Sequence, residues 1–157
     1  MFGLFEKILV PLDGSEHSTK ALDVAIQIAK KFGGRITLIH VYSVVVTPIV
    51  MPEPSTLTAG APILTSMEVS KLADAAQETG NRILSNGKER ARAEEVETDT
   101  VLAEGHAVQE IIRTSKEGKF DLIVIGARGV SHIREILLGG VSDAVMHHVV
   151  CPVLVVK

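Results

Sequence analysis

The sequence predicts an α/β fold, a doubly wound five-stranded parallel sheet with helices on both faces. Three observations carry this. Short apolar runs of strand length alternate with stretches of helical apolar spacing. Glycines and N-cap residues punctuate the junctions. Five strand runs joined by four helical crossovers require a parallel sheet, and right-handed crossovers wind it on both faces.

The elements follow in order. Lys7 to Leu12 is an apolar strand that ends at Asp13-Gly14-Ser15. Ser15 suits an N-cap, and Ala21, Leu22, Ala25, Ile28, Ala29 and Phe32 then recur at helical spacing. Gly33-Gly34 stops that helix. Arg35 to Tyr42 reads as a second buried strand. Residues 43–65 form a long Pro- and Thr-containing connection, of a length usually tied to function or mobility. A second helix is expected over Ser66 to Arg92, with Val69, Leu72, Ala73, Ala76, Ile83 and Leu84 inward and Gly80 and Gly87 as weak points. Val96 to Ala103 is the third strand, and Ala107 to Lys116 a short helix closed by Gly118. Asp121 to Gly126 is the fourth strand. A glycine-punctuated segment then leads to a helix from Gly140 to His148, and Pro152 to Val156 ends the chain as the fifth strand. No second domain and no internal repeat is evident, so residues 1–157 are expected to form a single domain.

Composition narrows the function. Apolar residues make up 46% of the 157, which indicates a globular fold. Aromatics are 3% and the formal charge is −3, so neither a base-stacking surface nor a basic stripe is present, and no nucleic-acid partner is expected. Cys151 is the single cysteine, which fits a reducing compartment and allows neither an internal disulfide nor a zinc quartet. The N-terminus lacks the layout of a signal peptide, and no stretch approaches ~20 apolar residues, so a cytoplasmic protein with no membrane partner is expected.

Open parallel sheets bind ligands beyond the carboxyl ends of their strands, where the strand order reverses. Three segments should reach that edge: Pro11 to Ser15, Val41 to Ser43, and Gly126 onward. The last is the most informative. Gly126-Ala127-Arg128-Gly129 is followed after nine residues by Gly139-Gly140-Val141-Ser142. Glycines here permit positive φ and close backbone approach. The turn ends at a helix N-terminus, where free amides and the dipole favour an anion. Ser142 adds a hydroxyl donor, and Arg128 and His132 sit on the intervening loop. The segment therefore reads as a phosphate cradle built mostly from backbone amides. The plainer alternative is that these glycines only allow tight turns.

This segment resembles the nucleotide motif of the universal stress protein family, Gly-x2-Gly-x9-Gly-(Ser/Thr). The resemblance runs through Ile8 to Ser15, Leu38-Ile39-His40-Val41, Glu104-Gly105, Asp121 to Gly126 and Cys151 to Val156. It implies a Rossmann-like fold of the adenine-nucleotide-binding type. It also implies a regulatory or stress-response role with ATP, ADP or AMP bound, together with Mg²⁺ or Mn²⁺. Carried over by position, Pro11, Asp13 and Val41 would hold adenine. Gly126, Ala127, Arg128, Gly129, Val130, Ser131 and His132, with Gly139, Gly140, Val141 and Ser142, would hold ribose and phosphates. Gly140 departs from the family's usual Ser or Thr. The amide survives and one hydroxyl is lost, and Ser142 is placed to replace part of that contact. For Asp13 the alternative is an Asx-turn before Gly-Ser.

Three rival readings remain. A P-loop hydrolase needs Gly-x4-Gly-Lys-(Ser/Thr), which is absent, so hydrolysis is expected to be slow or nil. A dinucleotide oxidoreductase needs Gly-x-Gly-x-x-Gly in the first turn, which Asp13-Gly14-Ser15 does not supply. An interaction module without nucleotide, acting on a protein partner of unidentified kind, is the third. The apolar last strand should lie at a sheet edge and pair with its copy in a homodimer, as the resemblance also implies; the alternative is that Val153, Leu154 and Val155 pack under the last helix in a monomer. His147-His148 point about 100° apart and make no metal pair by themselves. Cys151 reads as an inert buried thiol, and Glu94, Glu95 and Glu97 as a solvated edge.

Overall fold

The computed structural model describes residues 3–44, 65–128 and 139–157. Its elements are β1 (Lys7–Pro11), α1 (Glu16–Phe32), β2 (Arg35–Tyr42), α2 (Ser66–Ala93), β3 (Thr98–Glu104), α3 (Ala107–Glu117), β4 (Leu122–Gly126), α4 (Gly140–His148) and β5 (Val153–Val156). The expected 43–65 connection lies, from residue 45 to 64, outside the described residues.

All neighbouring strands pair parallel, in the order β3-β2-β1-β4-β5. The chain builds outward from β1 through β2 to β3, then returns to the other side of β1 for β4 and β5. The order therefore reverses between β1 and β4. The doubly wound parallel fold expected from the sequence is present.

Strand periodicity sorts the core into two layers. Ile8, Val10 and Leu12 pack with Ile36 and Leu38 against Leu22 and Ala25 of α1 and Leu84 and Ala91 of α2. Leu9, Ile39, Ile123 and Ile125 face the other way, against Ile111 of α3 and Val145 of α4. Ile8, Leu9, Val10, Ile36, Leu38 and Ile123 are completely enclosed. Each such side chain contributes about 1.5–3 kcal/mol by leaving water.

Local chemistry sets the boundaries. The Ser15 hydroxyl accepts from the Ser18 N–H at 3.2 Å and caps α1. Gly33 closes α1 at φ 72°, in the left-handed region. Thr65 and Glu68 form a reciprocal capping box at the start of α2, and that bonding holds the Glu68 carboxyl below its usual pKa. At the other end of the sheet, the Asp121 carboxylate accepts from the Glu6 and Lys7 amides at 3.0 and 3.1 Å and anchors the start of β1.

Several expectations shift. The first strand ends at Pro11 rather than Leu12, and the third begins at Thr98 rather than Val96. Leu72 was expected inward but is 52% exposed, because the first half of α2 extends past the sheet. Phe32 is also on the surface, edge-on to Phe5 with ring centroids 5.6 Å apart. Gly80 and Gly87 are buried contact points rather than weak ones. A Cβ on Gly80 would stand 2.6 Å from Leu102 Cδ1, and one on Gly87 2.7 Å from Leu12 Cδ1. Only glycine lets α2 lie this close on β2 and β3. Cys151 is half-buried, its Sγ 3.7 Å from the Ser115 hydroxyl. Glu94, Glu95 and Glu97 are exposed, and Glu94 pairs with Lys30 at 2.7 Å.

Candidate functional site

The reversal of strand order opens a crevice between the carboxyl ends of β1 and β4, on the face covered by α3 and α4. A cleft of about 240 Å³ occupies it. Pro11 and Asp13 line it because β1 alternates, turning Val10 and Leu12 toward α1 and α2. Ile39 and Val41 contribute from β2 by the same alternation. Gly126 and Arg128 come from the end of β4, and Gly139, Gly140, Val141 and Ser142 from the start of α4.

The structure thus brings together Pro11, Asp13, Val41, Gly126, Arg128, Gly139, Gly140, Val141 and Ser142. Ala127 is buried behind them, 3% exposed, and does not line the cleft. Gly129, Val130, Ser131 and His132 lie outside the described residues. Leu12, within the Pro11 to Ser15 segment expected at this edge, also lines the cleft, as do Ser18, Ile39, Ala107, Ile111 and Ile125, which the sequence did not mark. Gly105, at φ 148°, marks the turn between β3 and α3, but Ala107 and Ile111 beyond it follow the ordinary helical apolar pattern and read simply as core.

Glycine acts here through space rather than through unusual φ. The described positive-φ glycines are Gly14, Gly33 and Gly105, none of them in the cradle. Gly139 has φ −59°, which any residue adopts. Positive φ, which the sequence permitted, is therefore not used at Gly126, Gly139 or Gly140, and Gly129 lies outside the described residues. Gly126 is required by close approach instead. A Cβ there would lie 2.7 Å from the His17 carbonyl carbon and 2.9 Å from the Ser18 nitrogen. A Cβ on Gly140 would meet nothing within 4 Å, so that position faces open space.

The α4 N-terminus is held in place by Ala127. The Ala127 carbonyl accepts from the Gly139 N–H at 2.6 Å and from the Ser142 hydroxyl at 3.0 Å. The Ala127 N–H donates to Val156 at 2.7 Å, tying the end of β4 to β5. The Ser142 hydroxyl also lies 2.9 Å from the Gly139 carbonyl and is 2% exposed as a residue. Its single proton serves the backbone, so Ser142 acts as a clamp beneath the cleft rather than the freely directed donor expected.

Helix caps differ with position. α1 and α2 are capped by their own Ser15 and Thr65 side chains. α3 and α4 begin at the cleft, at Ala107 and Gly140, and among the described residues neither has a side-chain cap. First-turn amides left uncapped this way suit an anion. Asp13 and Arg128 are the charged side chains lining the described cleft. One Asp13 oxygen accepts from the Ser15 N–H at 2.9 Å, the Asx-turn alternative. Its other oxygen makes no hydrogen bond among the described residues. Apolar walls below and free amides at one end match a flat apolar group joined to an anionic tail.

The universal stress protein family model matches residues 4–157. The chain belongs to the universal stress protein family. The universal stress protein YxiE of Bacillus subtilis is 37% identical over 155 residues, covering 98% of this chain and 100% of that relative. Universal stress protein UspA from Lactobacillus plantarum superposes with a TM-score of 0.80 at 22% identity, covering 99% of this chain and all of that one, and shares the fold. A universal stress protein solved in complex with cAMP is 28% identical, with a TM-score of 0.67 and 98% coverage of both chains. Among the described residues of this universal stress protein, no helix is long and apolar enough to cross a membrane.

Proposed function

We propose that this universal stress protein domain binds an adenine nucleotide, ATP or AMP, and acts as a regulatory or stress-response switch with little or no ATP hydrolysis. The observation that carries the reading is the crevice itself. Its apolar end is formed by Pro11, Ile39 and Val41, and its other end by the uncapped first turn of α4. A relative solved with an adenine cyclic nucleotide supports the choice of base.

Slow turnover follows from what lines the cleft. No lysine reaches it among the described residues, and Asp13, its carboxylate, is engaged in a turn. A Mg²⁺ or Mn²⁺ ion fits this site as a companion of the phosphates. The described residues contain no group of three His, Cys, Asp or Glu able to cage a metal. Phosphate oxygens and water would supply most ligands, as is usual for Mg²⁺.

We also assign a homodimer to the β5 edge. Among the described residues β5 is the last strand of the sheet on its side. Pro152 and Val156 carbonyls accept from Ile123 and Ala127, so Val153 and Val155 present their amides outward. Val150 is 95% exposed beside this edge and Leu154 38%. A two-fold copy would pair the edge and cover both side chains.

Protein purified from cells, denatured and chromatographed, should release an adenine nucleotide. A supernatant free of it, together with no uptake of added ATP, AMP or cAMP, would overturn the reading in favour of a nucleotide-free interaction module.

A further inference from the structure

The ladder between β1 and β2 stops one rung early. Arg35 donates to Glu6, and Leu12 donates to Ile39 at 2.8 Å. By the alternation of a parallel pair, the odd residues of β2 face β1 and the even ones face β3. The Gly105 N–H donating to the Tyr42 carbonyl confirms the parity. The next rung would run from the Val41 N–H to the Leu12 carbonyl. Among the described residues that bond is not made. The Leu12 carbonyl lies instead 2.7 Å from His40 Nδ1. A carbonyl can only accept, so Nδ1 carries the proton.

His40 sits on the opposite face of the sheet from the cleft, beneath α2. Gly80 makes room for its ring, since a Cβ there would be 2.7 Å from His40 Cδ2. Helix, ring and carbonyl thus form a stack that pulls the Leu12–Asp13 peptide toward α2. Among the described residues Val41 is left with an N–H and a C=O unpaired on its β1 side, where its residue lines the cleft.

We infer that His40 is a positioning and specificity residue: by holding the Leu12 carbonyl it keeps the Val41 backbone edge unpaired, so that this edge can read the base. The inference rests on the adenine-nucleotide reading above. A peptide N–H beside its own C=O matches adenine, whose N1 accepts and whose 6-amino group donates. Guanine presents the reverse pair, N1–H and O6, and meets like against like. Base choice at this edge then depends on a side chain that never touches the nucleotide.

Two substitutions separate positioning from packing. His40→Phe keeps a ring beneath Gly80 but cannot donate. His40→Asn keeps a donor near the Nδ1 position without the ring. ATP affinity of His40→Phe should fall about tenfold and its preference for ATP over GTP should narrow, while His40→Asn stays within about threefold of wild type. His40→Phe binding ATP with wild-type affinity and preference would overturn the proposal. Amide exchange by NMR on nucleotide-free protein gives a second readout. The Val41 amide should exchange quickly in wild type and become protected in His40→Phe, as the released carbonyl completes the rung. A Val41 amide already as protected as that of Val10 in wild type would also overturn it. If wild-type protein binds no adenine nucleotide, the functional reading fails, and Val41 exchange still decides the role of His40.

Discussion

The Ser142 hydroxyl lies 3.0 Å from the Ala127 carbonyl, fifteen residues earlier in the chain. It joins the first turn of α4 to the end of β4, across the segment whose glycines marked the site in the sequence. Both carbonyls beneath it keep a second partner, since Gly139 N–H reaches Ala127 and Asp143 N–H reaches Gly139. Ser142→Ala should therefore lower unfolding free energy by only about 1 kcal/mol. Nucleotide affinity should fall about three- to tenfold as the helix start loosens. Urea unfolding and titration of the same variant measure the two effects.

The glycines of the cradle separate by the space around them. Gly126→Ala drives a methyl into the backbone of His17 and Ser18, and should cost about 1–3 kcal/mol as overpacking does. Gly140→Ala faces open space on an exposed helix start and should be neutral or stabilising by up to ~1 kcal/mol. Its methyl would instead stand where phosphate approaches. Thermal melts of the two variants should move in opposite directions, and equal losses would contradict the packing account.

Helix propensity alone says that Gly80→Ala strengthens α2. The Leu102 and His40 contacts say the reverse, because the new Cβ would lie 2.6 and 2.7 Å from them. The contacts should win, and the variant should be destabilised by about 1–3 kcal/mol. Denaturant midpoints compared with wild type check the sign.

These glycines also mark how far the sequence could be read. Strand runs, the Ser15 cap and the Gly33 stop were legible because each has a local cause. The cleft was legible along β1, β2 and α4 because glycines and strand ends announce it. Its α3 wall was not, since Ala107 and Ile111 carry the same apolar pattern as any core helix. Gly80 and Gly87 were misread for a similar reason: a propensity scale sees the helix and not the sheet beneath it. Leu72 followed the inward stripe correctly, but periodicity does not say where the sheet ends. The Ser142 clamp needed coordinates, because its partner is set by the fold.

At the β5 edge, Val155 points its N–H away from β4, so proline there spares the ladder to Ile125 and Gly126. Val155→Pro should leave the monomer folded and shift the proposed dimer toward monomer. Light scattering at micromolar concentration reads the change. A wild-type mass equal to one chain would remove the dimer from the account.

We propose above that the crevice between β1 and β4 takes an adenine nucleotide. Calorimetric titration of nucleotide-free protein with ATP, AMP and GTP tests it most directly. Saturable one-site binding of ATP or AMP is expected, about tenfold or more tighter than GTP. No heat with any adenine nucleotide, confirmed by no competition against a labelled ATP analogue, would contradict it.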